Sequence, residues 1–278
     1  MTSSPGIERV KEAGAIHQGQ GRHEVFDFPK DGLDGLREFL DQQNLPFSLH
    51  APLVRPDYFP YSGVTCFFIN DDEEKRKLSF ELMGQSARDA QEWGAEYMVC
   101  HLTFRDDTED EAKAWRLAYE AAEYLSRLVD STGVPIHIEF AGYAGAFRRP
   151  EHLVEVVAKF PNLSICIDTG HAFICSQLWG RRYLNDIETM APYARSIHLW
   201  NTKNIEHWRR HGHVPLHPAQ KPDSGWVDIE RTLEITLGHN RDLKLIHEYR
   251  VNETNTEIQE GFDWIRDTAE RFRGFNVA

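Results

Sequence analysis

LSICIDTGHA, residues 163–172, is an apolar run that stops on an acid, passes a glycine and offers a histidine three residues further on. Other segments stop in a similar way. FSLH ends at His50, YMVCH at His101 and IHIE at Glu139, while SIHL carries His198 and LKLIHE ends at Glu248. Each run has strand character, and helical patterns separate most of them. A fold that closes such runs into one sheet gathers these acids and histidines at one end of it. Core packing does not require that arrangement, whereas a metal site does.

The strand-like segments are HEVFDF (23–28), PFSLHAP (46–52), EYMVCHLTF (96–104), VPIHIEF (134–140), LSICIDTGHA (163–172), RSIHLWN (195–201) and LKLIHEYR (243–250). They are short, mostly apolar on both faces and rich in Val and Ile, as parallel strands covered on both sides are. Helical patterns with readable ends lie between them. Thr108 and Glu111 resemble a capping box ahead of EAKAWRLAYEAAEYLSRLV, with Gly133 just past its end. Pro150 takes a first-turn place before EHLVEVVAKF, and Asp228 is placed to cap IERTLEITL, which stops at Gly238. Residues 72–93 put Leu78, Leu82, Ala90 and Trp93 at helical spacing.

This alternation implies parallel strands, right-handed crossovers and an α/β fold, the (β/α)8 TIM barrel. Seven strands are legible where eight are wanted. SSPGIERVKEAGA reads as a helix, so the first strand is degenerate or missing, and the polar, Gly-rich AIHQGQG (15–21) is its only substitute. No linker or low-complexity tract divides the chain, and residues 1–278 read as a single domain.

The formal net charge of −13 counts against a broad nucleic-acid footprint, which usually needs a basic face. Cys66, Cys100, Cys166 and Cys175 show no CxxC spacing and read as buried thiols of a reducing compartment. Without a signal-peptide pattern or a run long enough to cross a bilayer, the expectation is a cytoplasmic protein that does not meet a membrane. Oligomeric state is not legible, and a homo-oligomer stays open.

In a parallel barrel, functional groups sit at the C-terminal ends of the strands. A carboxylate on an apolar strand is costly to bury unless it is paired or coordinated. Glu139, Asp168 and Glu248 aimed at one axis would repel, and a divalent cation resolves the repulsion. Imidazole from His198 beside them suits zinc, manganese, cobalt or iron rather than calcium. A lone strand-end histidine is more often a structural group than a ligand, so His50 and His101 count only as part of the set. His171 follows Asp168 across a glycine that allows a tight turn off the strand. His211 and His213 fall in HGHVPLHP, where alternate residues of an extended segment face one way. His217 closes the same loop and is ambiguous, while His17, His23, His137, His152, His207, His239 and His247 read as ordinary.

With these residues in view, the chain resembles the xylose-isomerase-like TIM barrels, a superfamily of sugar isomerases, epimerases and endonuclease IV-type apurinic-site nucleases. LSICIDTGHA is similar to the aspartate-histidine signature of the endonuclease IV branch, and IEFAGYAG, SIHLWNTK and the HGHVPL loop match in spacing. The resemblance implies a central metal held by Glu139, Asp168, His198 and Glu248. It implies a second metal on His50, His101 and a bridging Glu139, as in the nuclease branch, and a third on His171, His211 and His213. The nuclease pattern has aspartate where this chain has His211, tyrosine where it has Leu53, and an asparagine-acid pair where it has Trp200 and Asn201; Lys203 is retained. Arg148 and Arg149 beside Phe147 read as a solvated helix start rather than phosphate contacts.

The expected function is a divalent-metal-dependent sugar or sugar-phosphate isomerase or epimerase, with zinc or manganese at one site and up to three sites open. Glu139 and Glu248 would shuttle a proton at a metal-chelated substrate, His171 would orient a hydroxyl, Trp200 or Phe140 would wall the sugar ring, and Lys203 would help bind it. The alternative is an endonuclease IV-like multi-zinc phosphodiester hydrolase, which the acidic balance and the missing DNA-contact residues disfavour. A pocket that binds without turnover fits poorly with paired glutamates.

Overall fold

Each strand-like segment contains a strand of one parallel sheet, and the strands are ordered as in the chain: β1 (His23–Phe26), β2 (Phe47–His50), β3 (Met98–His101), β4 (Ile136–Glu139), β5 (Leu163–Asp168), β6 (Ala194–Leu199) and β7 (Lys244–His247). The computed structural model describes residues 23–44, 46–63, 65–103, 106–250 and 255–274. Among them, helices fill each crossover: α1 (Leu33–Gln43), α2 (Glu73–Trp93), α3 (Glu111–Thr132), α4 (Pro150–Lys159), α5 (Thr169–Leu178) with α6 (Tyr183–Met190), and α7 (Ile205–His211) with α8 (Ile229–His239). A last helix, α9 (Thr256–Gly274), follows β7. The sheet curls into a nearly closed TIM barrel. The helix read at SSPGIERVKEAGA and the substitute strand at 15–21 lie outside the described residues, as does His17.

Helix starts follow side-chain chemistry. Asp72 accepts from the backbone N–H groups of Glu74 and Lys75 to cap α2, and Asp228 accepts from that of Arg231 to cap α8. Such a cap contributes about 1 kcal/mol. The expected Thr108 cap is displaced by two residues. Asp110 is the residue before the first turn of α3 and accepts from Lys113 N–H, while the Thr108 hydroxyl accepts from Asp110 N–H in the preceding loop. Gly94 and Gly133 end α2 and α3 at φ 74° and 73°, where a side chain would be strained. Helix α8 runs one residue past Gly238 and closes at Asn240.

Ile138, Ile165, Ile167 and Ile197 are fully buried, and Ala118, Ala121 and Ala122 give α3 a small-residue face against the sheet. Each buried Leu or Ile contributes about 1.5–3 kcal/mol of transfer free energy. All four cysteines are buried and free. Inside the barrel, a polar layer lies beneath the strand ends. Ser48, His137, Cys166 and Ser196 each precede a strand-end site residue by two positions and share its face. His137 shares a 2.9 Å hydrogen bond with Ser196 and stacks on Tyr97 at 4.3 Å.

Candidate metal centre

Strand register assembles the site. Glu139, the last residue of β4, pairs with His101 of β3, and Asp168, the last of β5, pairs with His198 of β6. Residues in register share a face, so their side chains meet inside the barrel mouth. A register irregularity between Ile165 and Cys166 sets the last pairing.

Glu139 is the hub. Its Oε2 lies 3.1 Å from His50 Nε2, 3.2 Å from His198 Nδ1 and 3.7 Å from His101 Nε2, while its Oε1 lies 3.9 Å from His171 Nε2. Burial opposes its ionisation, but His101, His198 and His50 hold the carboxyl well below its ordinary range. Glu248 lies 3.3 Å from His198 Nδ1 and is partly exposed. Burial opposes its ionisation too, and His198 overcomes it. Asp168 behaves oppositely. Burial, then Glu248 and Glu139, push its carboxyl well above the usual carboxylate value. Burial opposes protonation of His198, yet Cys166, Glu24, Glu248 and Glu139 hold the imidazole well above its ordinary pKa. His101 is lowered to about 4 by burial, and His171 to about 3 by the same cause.

Asp168 is fixed on both oxygens. Oδ1 accepts from the His171 backbone N–H at 2.5 Å, capping α5, and Oδ2 accepts from the Trp200 indole at 2.6 Å. DTGH is therefore a helix start, not a tight turn. Gly170 lies in the first turn of α5, and a Cβ there would run into the Trp200 ring. Trp200 is fully buried and stacks on His213 at 3.9 Å, with 6° between ring planes. Its expected role as a wall facing substrate gives way to that of a support for Asp168.

The other expected residues divide. His171 shares a hydrogen bond between its Nδ1 and the Tyr143 hydroxyl, and its ring packs at 5.9 Å from Trp208. His213 Nδ1 donates to the Glu248 carbonyl at 2.8 Å. His211 does not join them. It is exposed at the end of α7, its ring 4.6 Å from that of His207, because Gly212 turns the chain at φ 68° before His213. The extended HGHVPL segment expected to aim both histidines one way is thus helix, turn, then bridge. Lys203 lies over the Trp226 ring at 4.9 Å, Phe140 is buried, and His217 faces Glu260 at 3.3 Å. Arg149 starts α4 beside Glu151, and Arg148 covers Trp179 at 3.9 Å, the solvated helix start expected.

Glu24 was not anticipated. On β1, its Oε1 lies 2.9 Å from His198 Nε2, and its Oε2 accepts from the Ser48 hydroxyl at 2.8 Å. The criterion that singled out Glu139, a carboxylate on a strand, applies equally to HEVFDF.

The residues fit a cation. Glu139, Asp168, His198 and Glu248 each offer a ligand atom, all within 4.8 Å of one another, and His50, Glu139 and His198 form a second such group. His198 Nδ1, His198 Nε2 and Glu248 Oε2 are buried and make no hydrogen bond, although Nδ1 and Oε2 lie 3.3 Å apart. Three carboxylates with one imidazole are a donor set for a divalent first-row metal.

A profile of the xylose isomerase-like TIM barrels matches residues 7–268. This chain belongs to that family. The family member is similar in structure to a D-tagatose 3-epimerase-like protein, with 16% identity over 92% of this chain and 90% of that one, at a TM-score of 0.67. D-psicose 3-epimerase from Clostridium cellulolyticum, solved with D-tagatose, gives 11% identity over 98% and 91%, at a TM-score of 0.59. Endonuclease IV from Thermus thermophilus gives 16% identity over 91% and 100%, at a TM-score of 0.55. At such identities the likeness is one of fold. Comparison with curated sequences returns no match. Among the described residues of this family member, no helix is long and apolar enough to cross a membrane.

Proposed function

We propose that the protein is a single-domain, divalent-metal-dependent isomerase or epimerase of a sugar or sugar phosphate, using zinc or manganese. The observation that carries this reading is the four-residue group Glu139, Asp168, His198 and Glu248, tightly drawn together while His211 stands exposed apart from it. A cation bound by those four residues supplies chelation of adjacent substrate oxygens and polarisation of the carbonyl. Glu139 and Glu248 are the ionised members, held so by their histidines. One carboxylate takes the proton from the carbon beside the carbonyl; the other, having first taken a proton from solvent, returns it from the opposite face, and the two exchange protonation states before the next turnover. Asp168, fixed by Trp200 and the start of α5, keeps its place. His171, oriented by Tyr143, donates from Nε2 to a substrate hydroxyl, and half-buried Tyr143 and Trp208 supply the apolar wall. Lys203, which lies over the Trp226 ring, helps bind the substrate.

The alternative, an endonuclease IV-like phosphodiester hydrolase with several zinc ions, is favoured by His50 and His101 closing on Glu139. Buried Leu53 and exposed His211 count against it. Elemental analysis of the purified protein, run with ketose epimerisation in deuterated solvent and abasic-duplex cleavage, separates the two. One metal per chain, deuterium incorporated beside the carbonyl and an intact duplex are expected. Replacing Glu248 with Gln should then lower turnover by about 10²-fold or more. Three metals with duplex cleavage would overturn the assignment.

A further inference from the structure

Nδ1 of His198 faces the other strand-end ligands, but its second nitrogen faces a carboxylate on β1 that the metal centre does not use. His198 is fully buried, with Nδ1 between Glu139 and Glu248 and Nε2 in a 2.9 Å ion-pair contact with Glu24 Oε1. A carboxylate oxygen accepts, and Nε2 is closer to Glu24 at 2.9 Å than Nδ1 is to Glu139 or Glu248 at 3.2 and 3.3 Å, so the proton of a neutral ring belongs on Nε2. A ring that binds a cation is neutral, and its lone pair then stands at Nδ1, toward the carboxylates of the site. Glu24 is itself held. Ser48, its register partner on β2, donates to Oε2 at 2.8 Å, which leaves Oε1 for the imidazole. The side chain of Glu24 is 8% exposed, so solvent does not replace this contact.

We propose that Glu24, steadied by Ser48, is a positioning residue that fixes the tautomer and ring orientation of His198, presenting Nδ1 to a divalent cation. The inference rests on the metal reading of the site above. Carboxylate partners of metal-bound histidines are worth roughly 10–100-fold in metal affinity. Geometry and charge are separable here. Glu24→Asp keeps the charge and withdraws the oxygens by one carbon–carbon bond, ~1.5 Å, whereas Glu24→Gln keeps the reach and a carbonyl acceptor but drops the charge.

Calorimetric titration of the chelator-stripped, full-length protein with manganese chloride alone tests this, with circular dichroism as the folding check. The expected result is that Glu24→Asp weakens manganese binding by about 10-fold or more and Glu24→Gln by less than about 3-fold, with Ser48→Ala between them. A Glu24→Asp protein that binds like wild type overturns the proposal. So does a Glu24→Gln protein that loses as much as Glu24→Asp, because Glu24 would then act only as a distant charge. Wild-type protein that binds no manganese or zinc sinks the metal reading itself, and the positioning role with it.

Discussion

Replacing Asp168 with Asn should make the stability of the metal-free protein less sensitive to alkaline pH, and geometry sets the size of the effect. The ligand oxygens of Glu139, Asp168 and Glu248 lie within 4.8 Å of one another. At that separation two carboxylates repel by about 3 kcal/mol at an effective dielectric of about 20. Asp168 escapes part of this by keeping a proton, since burial and the two glutamates raise its pKa. A raised folded-state pKa confers stability that is complete below the unfolded value of about 4 and is lost as pH rises through the folded value. Asparagine has no proton to lose there, so the variant lacks that decline. Between about pH 5 and about pH 8, the stability difference should therefore move in the variant's favour, by at most the repulsion of about 3 kcal/mol.

A pH-independent cost lies beneath this change. Both Asp168 oxygens accept hydrogen bonds, one from His171 N–H and one from the Trp200 indole. An amide accepts only one of them, leaving a buried donor unmet at about 1–3 kcal/mol. Comparing two pH values cancels that cost. Urea unfolding of chelator-stripped wild type and variant at both pH values reads the difference directly. A stability difference that stays constant with pH would refute the assignment of Asp168 as the strained carboxylate of the site.

Gly170→Ala should press a methyl group into the Trp200 ring, costing about 1–3 kcal/mol by overpacking and lowering Tm by roughly 2–4 °C per kcal/mol. Manganese affinity should fall with it as the indole leaves Asp168, which scanning calorimetry and titration check; unchanged affinity would remove Trp200 from the support of Asp168. His211→Ala should leave the metal content per chain unchanged by elemental analysis, because the exposed ring packs on His207 rather than on the site. A metal equivalent lost in that variant would restore the third site.

Periodicity and strand-end chemistry are local, and they carried much of the reading. Val- and Ile-rich runs of four to six residues became β1 to β7 in chain order. The acids and histidines at their ends converged because parallel strands put their C-terminal ends together. Boundaries set by competing side chains were less legible. Thr108 and Asp110 are both good caps, and only the loop path decided between them.

What the chain determines by itself is the barrel and the set of strand-end acids and imidazoles, because the pattern of apolar residues dictates which segments pair and where each run stops. Tertiary structure decided how that set is used. It alone set Trp200 on Asp168 and Glu24 beneath His198, and turned His211 outward at Gly212. Those contacts join residues of different strands and loops across the barrel. Their distances follow from register, curl and turn geometry, which no single segment of sequence contains.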